Sequence, residues 1–245
     1  HGGPARMPAW RASSAPVAAR ARATDWQRAL WALQRMPWLD LAPDVASYTA
    51  AASACARAQQ SARAIAVLGN MRRSQVRPTA VTCSVAISAH ARAKQVNRAL
   101  ALFDSMRSEL LLPNAMNHAA AIGACAEGSW SRRALALLHE MTRSYEAGVA
   151  DATQALTVAS NATITACERA TRWEQALSCF GQMLSSSKVV ANATSYNAGL
   201  RACERGRLWE LALELMSRMG RRRVEPDVIT VNTAISACGA GSHGG

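Results

Sequence analysis

Residues 193–227 read ATSYNAGLRACERGRLWELALELMSRMGRRRVEPD, and the fold follows from the way this stretch divides. Its first part is rich in small residues up to Cys203. Arg205-Gly206 makes a break. Ala212-Leu213, Leu215 and Met219 then fall at helical spacing and give one apolar stripe. Pro226-Asp227 closes the stretch, because proline lacks an N–H and biases its predecessor away from helix. The expected unit is therefore helix, short turn, helix and a Pro-containing connection.

The same unit recurs on both sides. Met36, Met71, Met106, Met141, Met183 and Met219 follow one another at spacings of 35, 35, 35, 42 and 36. Cys55, His90, Cys125, Cys167 and Cys203 each precede a methionine of that series by 16 residues, and Cys238 continues the pattern. Ala-Leu recurs in phase at Ala99-Leu100, Ala134-Leu135, Ala176-Leu177 and Ala212-Leu213. Pro43-Asp44, Pro78-Thr79 and Pro113-Asn114 punctuate the earlier units. Two markers in fixed phase over five periods define a repeat protein, in which hairpins bury their apolar faces against one another. The fold class expected is all-α, an α-solenoid of stacked helix-turn-helix repeats.

The units frame as 45–79, 80–114, 115–156, 157–192 and 193–227, after a second helix of a partial repeat at 24–44. A first helix of a truncated repeat at 228–245 follows, opened by Val228-Ile-Thr-Val-Asn232, so the sequence reads as a piece of a longer protein. Seven extra residues between Thr142 and Leu156, and one near Ser185 to Lys188, are expected in connections between repeats, where such arrays tolerate insertion. Residues 1–23 read as a degenerate repeat helix or a targeting-peptide remnant; the first 24 carry Arg and Ser but no acid.

Composition agrees and narrows the chemistry. Half the 245 residues are hydrophobic but only 5% aromatic, which favours packed helices over a sheet sandwich. No apolar run is long enough for a membrane span, so no membrane partner is expected. The formal charge of +12 suits a polyanionic partner. Seven cysteines without a CxxC give no zinc or thiol-redox signature. No phosphate loop, GxSxG or paired zinc histidines occur, and His139 fits no catalytic pattern, so neither an enzyme nor a cofactor is expected.

In period, closing Pro-Asp and opening Tyr196-Asn197, residues 24–238 resemble the pentatricopeptide repeat family, in the form built only from 35-residue units. The tetratricopeptide repeat, a peptide-binding relative, has a period one residue shorter and lacks the polar pair described next. The resemblance implies a right-handed superhelix that binds single-stranded RNA, one base per repeat, as a monomer in a chloroplast or mitochondrion. It could there recruit processing or translation factors. The fifth and last residues of a unit would together read one base. Those pairs are Thr49 with Thr79, Ser84 with Asn114, Asn161 with Asn192, and Asn197 with Asp227; Asn232 has no closing partner. By the family's code they imply, in turn, a lean towards purine, adenine, a pyrimidine with cytosine favoured, and uracil. In unit 115–156 the fifth residue is Ala119 and the closing one is either Asp151 or Leu156, so this unit is expected to read nothing.

The second residue would sandwich the base: Ala46, Val81, Met116, Val158, Thr194 and Ile229, with Val81 and Met116 forming the best slot. The thirteenth is Arg57, Arg92, Glu127, Arg169 or Arg205, and these arginines are expected to contact phosphates. Against these stand plainer readings. The recurrent Cys and Met, with His90, read as helix packing. Trp26, Trp173 and Trp209, with Trp130 one place out of phase, read as inter-helix packing, and Arg221-Arg222-Arg223 as a solvated turn. Asn161, Asn197 and Asn232 could be helix caps rather than readers. The competing function is a protein-binding scaffold that reads no RNA.

Overall fold

The computed structural model describes residues 26–108, 111–145, 152–186 and 189–241. The expectations placed on residues 1–23 and on Asp151 lie outside these. The described residues form twelve α-helices and a 3-10 turn, with no strand among them. They run α1 (Trp26–Arg35), α2 (Val45–Arg57), α3 (Ser61–Arg73), α4 (Ala80–Arg92), α5 (Val96–Ser108), α6 (Ala115–Glu127), α7 (Ser131–Tyr145), α8 (Ala152–Arg169), α9 (Trp173–Ser185), α10 (Ala193–Gly206), α11 (Trp209–Arg221) and α12 (Val228–Gly241). None of these helices is long and apolar enough to cross a membrane.

The chain forms two compact units, His1–Pro113 and Asn114–Gly245. In the first, α2 pairs with α3 and α4 with α5, while α2 also packs on α1 and α4. Its core joins Ala29, Leu33 and Met36 to Tyr48, Ala51, Ala52, Ala54, Val67 and Met71. In the second, α6, α8, α10 and α12 pack as successive neighbours, with α7, α9 and α11 layered against them. Small side chains make this close stacking possible: Ala121, Ala124, Ala159, Ala166 and Ala202 are all fully buried.

The two phase markers have a common structural origin. After the first helix of each hairpin, the chain takes one residue in the left-handed region: Gln59, Lys94, Ser129, Thr171 or Arg207. The next amide then reaches back to the marker's carbonyl, as in Gln60 N to Cys55 O at 2.9 Å and Arg172 N to Cys167 O at 2.8 Å. The second helices α3 and α11 close in the same way on methionine, with Val76 N bonded to Met71 O and Val224 N to Met219 O, each at 3.1 Å. These are six-to-one bonds of a Schellman closure, which satisfy otherwise orphaned carbonyls. Cys and Met therefore stand close before each reversal, and Cys55, Cys125, Cys167, Cys203, Met71, Met141 and Met219 are fully enclosed.

One expectation is corrected. The seven-residue insertion does not lengthen a connection. α7 has 15 residues and α8 has 18, against 13 in α2 to α6. The two excesses, two and five, account for the insertion, and the inter-repeat segment 146–151 is as long as 74–79. Helix extension wins because Ala-Thr-Gln-Ala-Leu, residues 152–156, has good helix formers and buries Ala155 and Leu156 at 6% exposure. The extra residue of unit 157–192 does lie in the connection after α9, which ends at Ser185.

Candidate functional site

The closing residue of a unit is the N-cap of the next unit's first helix. Asp44 Oδ1 accepts from Ser47 N at 2.8 Å and Thr79 Oγ1 from Thr82 N at 3.4 Å. Asn114 Oδ1 accepts from Asn117 N, and Asn192 Oδ1 from Ser195 N, each at 3.0 Å. Asp227 Oδ1 accepts from Thr230 N at 2.7 Å. The third residue of the unit answers this cap, and Ser47, Thr82, Asn117, Ser195 and Thr230 are buried polar side chains for that reason. Residue-by-residue reading missed this set, although a polar residue three places after each closing one was its signal. Hydrogen bonds from the Thr230 hydroxyl and amide hold the Asp227 carboxyl below the usual carboxylate range, with a smaller contribution from Asn197.

The fifth residues do not cap. Asn161, Asn197 and Asn232 lie inside α8, α10 and α12, beyond the first free amides. Asn161 Nδ2 donates to Asn192 Oδ1 at 3.4 Å, and Asn197 Nδ2 donates to Asp227 Oδ1 and Oδ2 at 3.3 and 3.4 Å. In both pairs the asparagine Oδ1 is buried without a hydrogen-bond partner. An orphaned acceptor costs about 1–3 kcal/mol, and these two stand at the same repeat position. Asn197 is only 7% exposed, whereas Asp227 is exposed.

Thr49 and Thr79 meet through a third hydroxyl. Thr82 Oγ1 lies 2.9 Å from Thr49 Oγ1 and 3.0 Å from Thr79 Oγ1, while Thr49 donates to the Val45 carbonyl. One proton per hydroxyl runs the chain one way, Thr79 to Thr82 to Thr49, and leaves lone pairs but no free donor. Ser84 belongs to the first unit and bonds the Val81 carbonyl at 2.8 Å. Asn114 and Met116 belong to the second, where Asn114 forms its cap. Asn232 is exposed on α12. Ala119 is 8% exposed, and Leu156 sits within α8 rather than at its start. The interrupted unit thus has neither a polar fifth residue nor a cap at Leu156.

The second residues share one property: all are exposed. Val81, Met116, Val158 and Ile229 are 53–61% accessible despite being apolar, and Ala46 and Thr194 are exposed too. Within the second unit, Met116, Val158, Thr194 and Ile229 stand at equivalent places on successive neighbouring helices.

The arginines have a structural role as well. Arg92 Nη1 donates to the Ala56 carbonyl, and Arg169 Nη1 donates to the Ala126 carbonyl at 2.9 Å. Each reaches the C-terminal end of the preceding first helix, where carbonyls lack partners and the dipole favours a cation. Arg169 also lies 3.4 Å from Glu127, the acid that replaces arginine in the interrupted unit. Glu168 sits between Arg201 at 3.3 Å and Arg205 at 3.9 Å. Arg57 closes the last turn of α2. Among the remaining residues, Trp26 lies under Arg63 at 4.1 Å, Arg222 donates to the Leu184 carbonyl, and His90 Nδ1 is 2.9 Å from Gln95 Oε1.

Helical hairpins of this period, capped from the preceding unit's last residue everywhere but at the lengthened α8, make the protein a helical-repeat array. Family models agree with the geometry. One described as the pentacotripeptide-repeat region of PRORP matches residues 11–155, one described as the pentatricopeptide repeat domain matches 183–241, and a PPR repeat matches 158–187. The chain belongs to the pentatricopeptide repeat family. Among solved structures, the pentatricopeptide repeat protein PPR10 from maize is 23% identical, over 93% of this chain and 36% of that chain, with a TM-score of 0.47. PPR10 in complex with an 18-nt psaJ RNA element is 22% identical, over 91% of this chain and 40% of that chain, with a TM-score of 0.46. The chain spans less than half the length of either. No curated protein matches it.

Proposed function

We propose that this chain binds single-stranded RNA without catalysing a reaction on it, each complete repeat contacting one base. The observation that carries the reading is the meeting of the fifth and closing residues in Asn161–Asn192 and Asn197–Asp227, at the repeat position where the family reads bases. The exposed second residues supply apolar surfaces for base faces, and base stacking on side chains contributes about 1–3 kcal/mol each. The net charge of +12 supports a polyanionic ligand. Arg57, Arg92, Arg169 and Arg205 are the proposed phosphate contacts, using the guanidinium N–H groups not directed at helix ends. Placement in an organelle, and a role in RNA stability, processing or translation, rest on the family resemblance alone.

The test is an anisotropy titration with an RNA carrying adenine, a variable base, cytosine and uracil in 5′ to 3′ order. Uracil should be preferred to cytosine at the last place, and Asp227→Asn, which keeps a capping side chain, should reverse that preference. If four arginines meet phosphates, log affinity should fall against log salt with a slope of roughly three. Binding without base preference would reduce the protein to a nonspecific RNA tract. No binding at low salt would leave the protein scaffold as the better reading.

A further inference from the structure

The lengthened helix α8 places a polar side chain beside the repeat that lost its reader. We propose that Gln154 is the nucleotide contact of unit 115–156, replacing the closing residue that helix extension removed. The inference rests on the RNA-binding reading above.

In a regular unit the closing residue stands at the start of the next first helix, two places before the second residue. In α8 that place holds Leu156, which is helical and 6% exposed, so no polar group is offered from it. Its counterpart on α6, Ala119, carries only a methyl group. The five added residues continue α8 backwards, and at 100° per residue Gln154 falls about 40° from Val158 and about 20° from Asn161 around the axis. Gln154 thus shares a face with an exposed apolar second residue and a polar fifth one. Burial agrees with this assignment: Gln154 and Val158 are exposed, whereas Ala155, Leu156 and Ala159 are buried.

Reach and availability agree as well. Gln154 lies about 6 Å before Val158 along the axis, and because helical side chains lean towards the N-terminus, the Val158 side chain leans back over the turn that carries Gln154. Thr157 and Thr165 share this side of α8, but their hydroxyls are engaged with the Thr153 and Asn161 carbonyls at 3.0 Å. The Gln154 side chain makes no hydrogen bond among the described residues. A base over Val158, next to Met116 on the neighbouring helix, would meet its amide. A primary amide can turn to present either its donor or its acceptor. The interrupted repeat should therefore hold a nucleotide of any base without selecting among them.

The experiment compares the whole protein with Gln154→Ala on RNAs carrying adenine, guanine, cytosine, uracil or an abasic residue at the variable place. The unaltered protein should bind the four bases within about twofold of one another and the abasic RNA more weakly. Gln154→Ala should weaken binding to all four about three- to tenfold, the loss of one hydrogen bond, and leave the abasic RNA unchanged. Alanine favours helix, so an unaltered thermal midpoint separates lost contact from lost fold. Equal affinities of the two proteins for every RNA, or equal losses with and without a base, would overturn the inference while leaving RNA binding intact. Failure of the unaltered protein to bind any of these RNAs would overturn the RNA-binding reading itself.

Discussion

Asn161 and Asn192 meet at 3.4 Å through the same Asn192 Oδ1 that caps α10, so one oxygen joins two repeats and starts a helix. A capping oxygen is fixed by the backbone it satisfies. The closing residue therefore presents its remaining polar atom in one orientation, and the asparagine across from it is fixed in turn.

Substitution at Asn192 should separate these two roles. Asn192→Ala removes the cap and should lower stability by about 1 kcal/mol, as such replacements commonly do. Asn192→Asp keeps a capping oxygen and should leave stability within a few tenths of a kcal/mol while changing the base preferred by unit 157–192. Urea denaturation and RNA titration of both variants would decide it. Equal destabilisation by Asp and Ala would contradict the capping role.

Thr171 holds φ at 59° at the reversal between α8 and α9, where a β-branched residue is strained. It is exposed, and its hydroxyl contacts only the adjacent Ala170 carbonyl. Thr171→Gly should relieve roughly 1–2 kcal/mol of left-handed strain, partly offset by about 0.5–1 kcal/mol of added unfolded-state entropy. A small rise in the denaturation midpoint is expected, and a fall would show that the turn is not strained.

Two glycine-to-alanine changes should have opposite signs. A Cβ at Gly199 would come 2.9 Å from the Phe180 ring, which itself packs edge-on against Tyr196 with centroids 5.5 Å apart. Overpacking there should cost about 1–3 kcal/mol, more than the helical gain. Gly69, on α3, has nothing within 4 Å of such a Cβ, so Gly69→Ala should stabilise by about 0.5–1 kcal/mol. Thermal melts of both check the packing, and Phe180→Leu should lessen the effect of Gly199→Ala.

The buried thiols should be inert and should weaken the fold at high pH. Burial pushes Cys179 up to about 12 and Cys167 and Cys203 up to about 11. A thiol whose folded pKa is raised stays protonated in the native state while the unfolded chain ionises. Its contribution is complete below the ordinary value of 9.0 and is lost as pH rises towards 11–12. Melting temperature should therefore fall across that window. In native protein at pH 8, alkylation should favour the partly exposed Cys238 over these three, as peptide mapping would show.

Much of the architecture was legible because it repeats. Cys203 and Met219 each fill a buried site before a reversal, and that requirement recurs every 35 residues, so spacing alone exposed the hairpins. The candidate pairs were legible as positions, since Asn197 and Asp227 hold fixed places in the unit. Their bonding was not, because it depends on how one first helix lies against the next. The arginine phase was visible, yet the bonds from Arg92 and Arg169 to carbonyls of the preceding repeat link residues 36 and 43 positions apart. The insertion misled for a local reason: a connection and a helix extension have the same length in sequence, and only the burial of Ala155 and Leu156 favours the helix.

The sequence by itself determined the all-helical hairpin, its period and the family, because these depend on apolar spacing, proline and small residues read along one strand of chain. Tertiary structure decided which polar atoms are engaged. It made Asp44, Thr79, Asn114, Asn192 and Asp227 caps, joined Asn161 to Asn192, and left Gln154 exposed on an extended helix. Hydrogen bonds reach only about 3 Å, so whether distant residues form one depends on how neighbouring helices stack rather than on spacing along the chain.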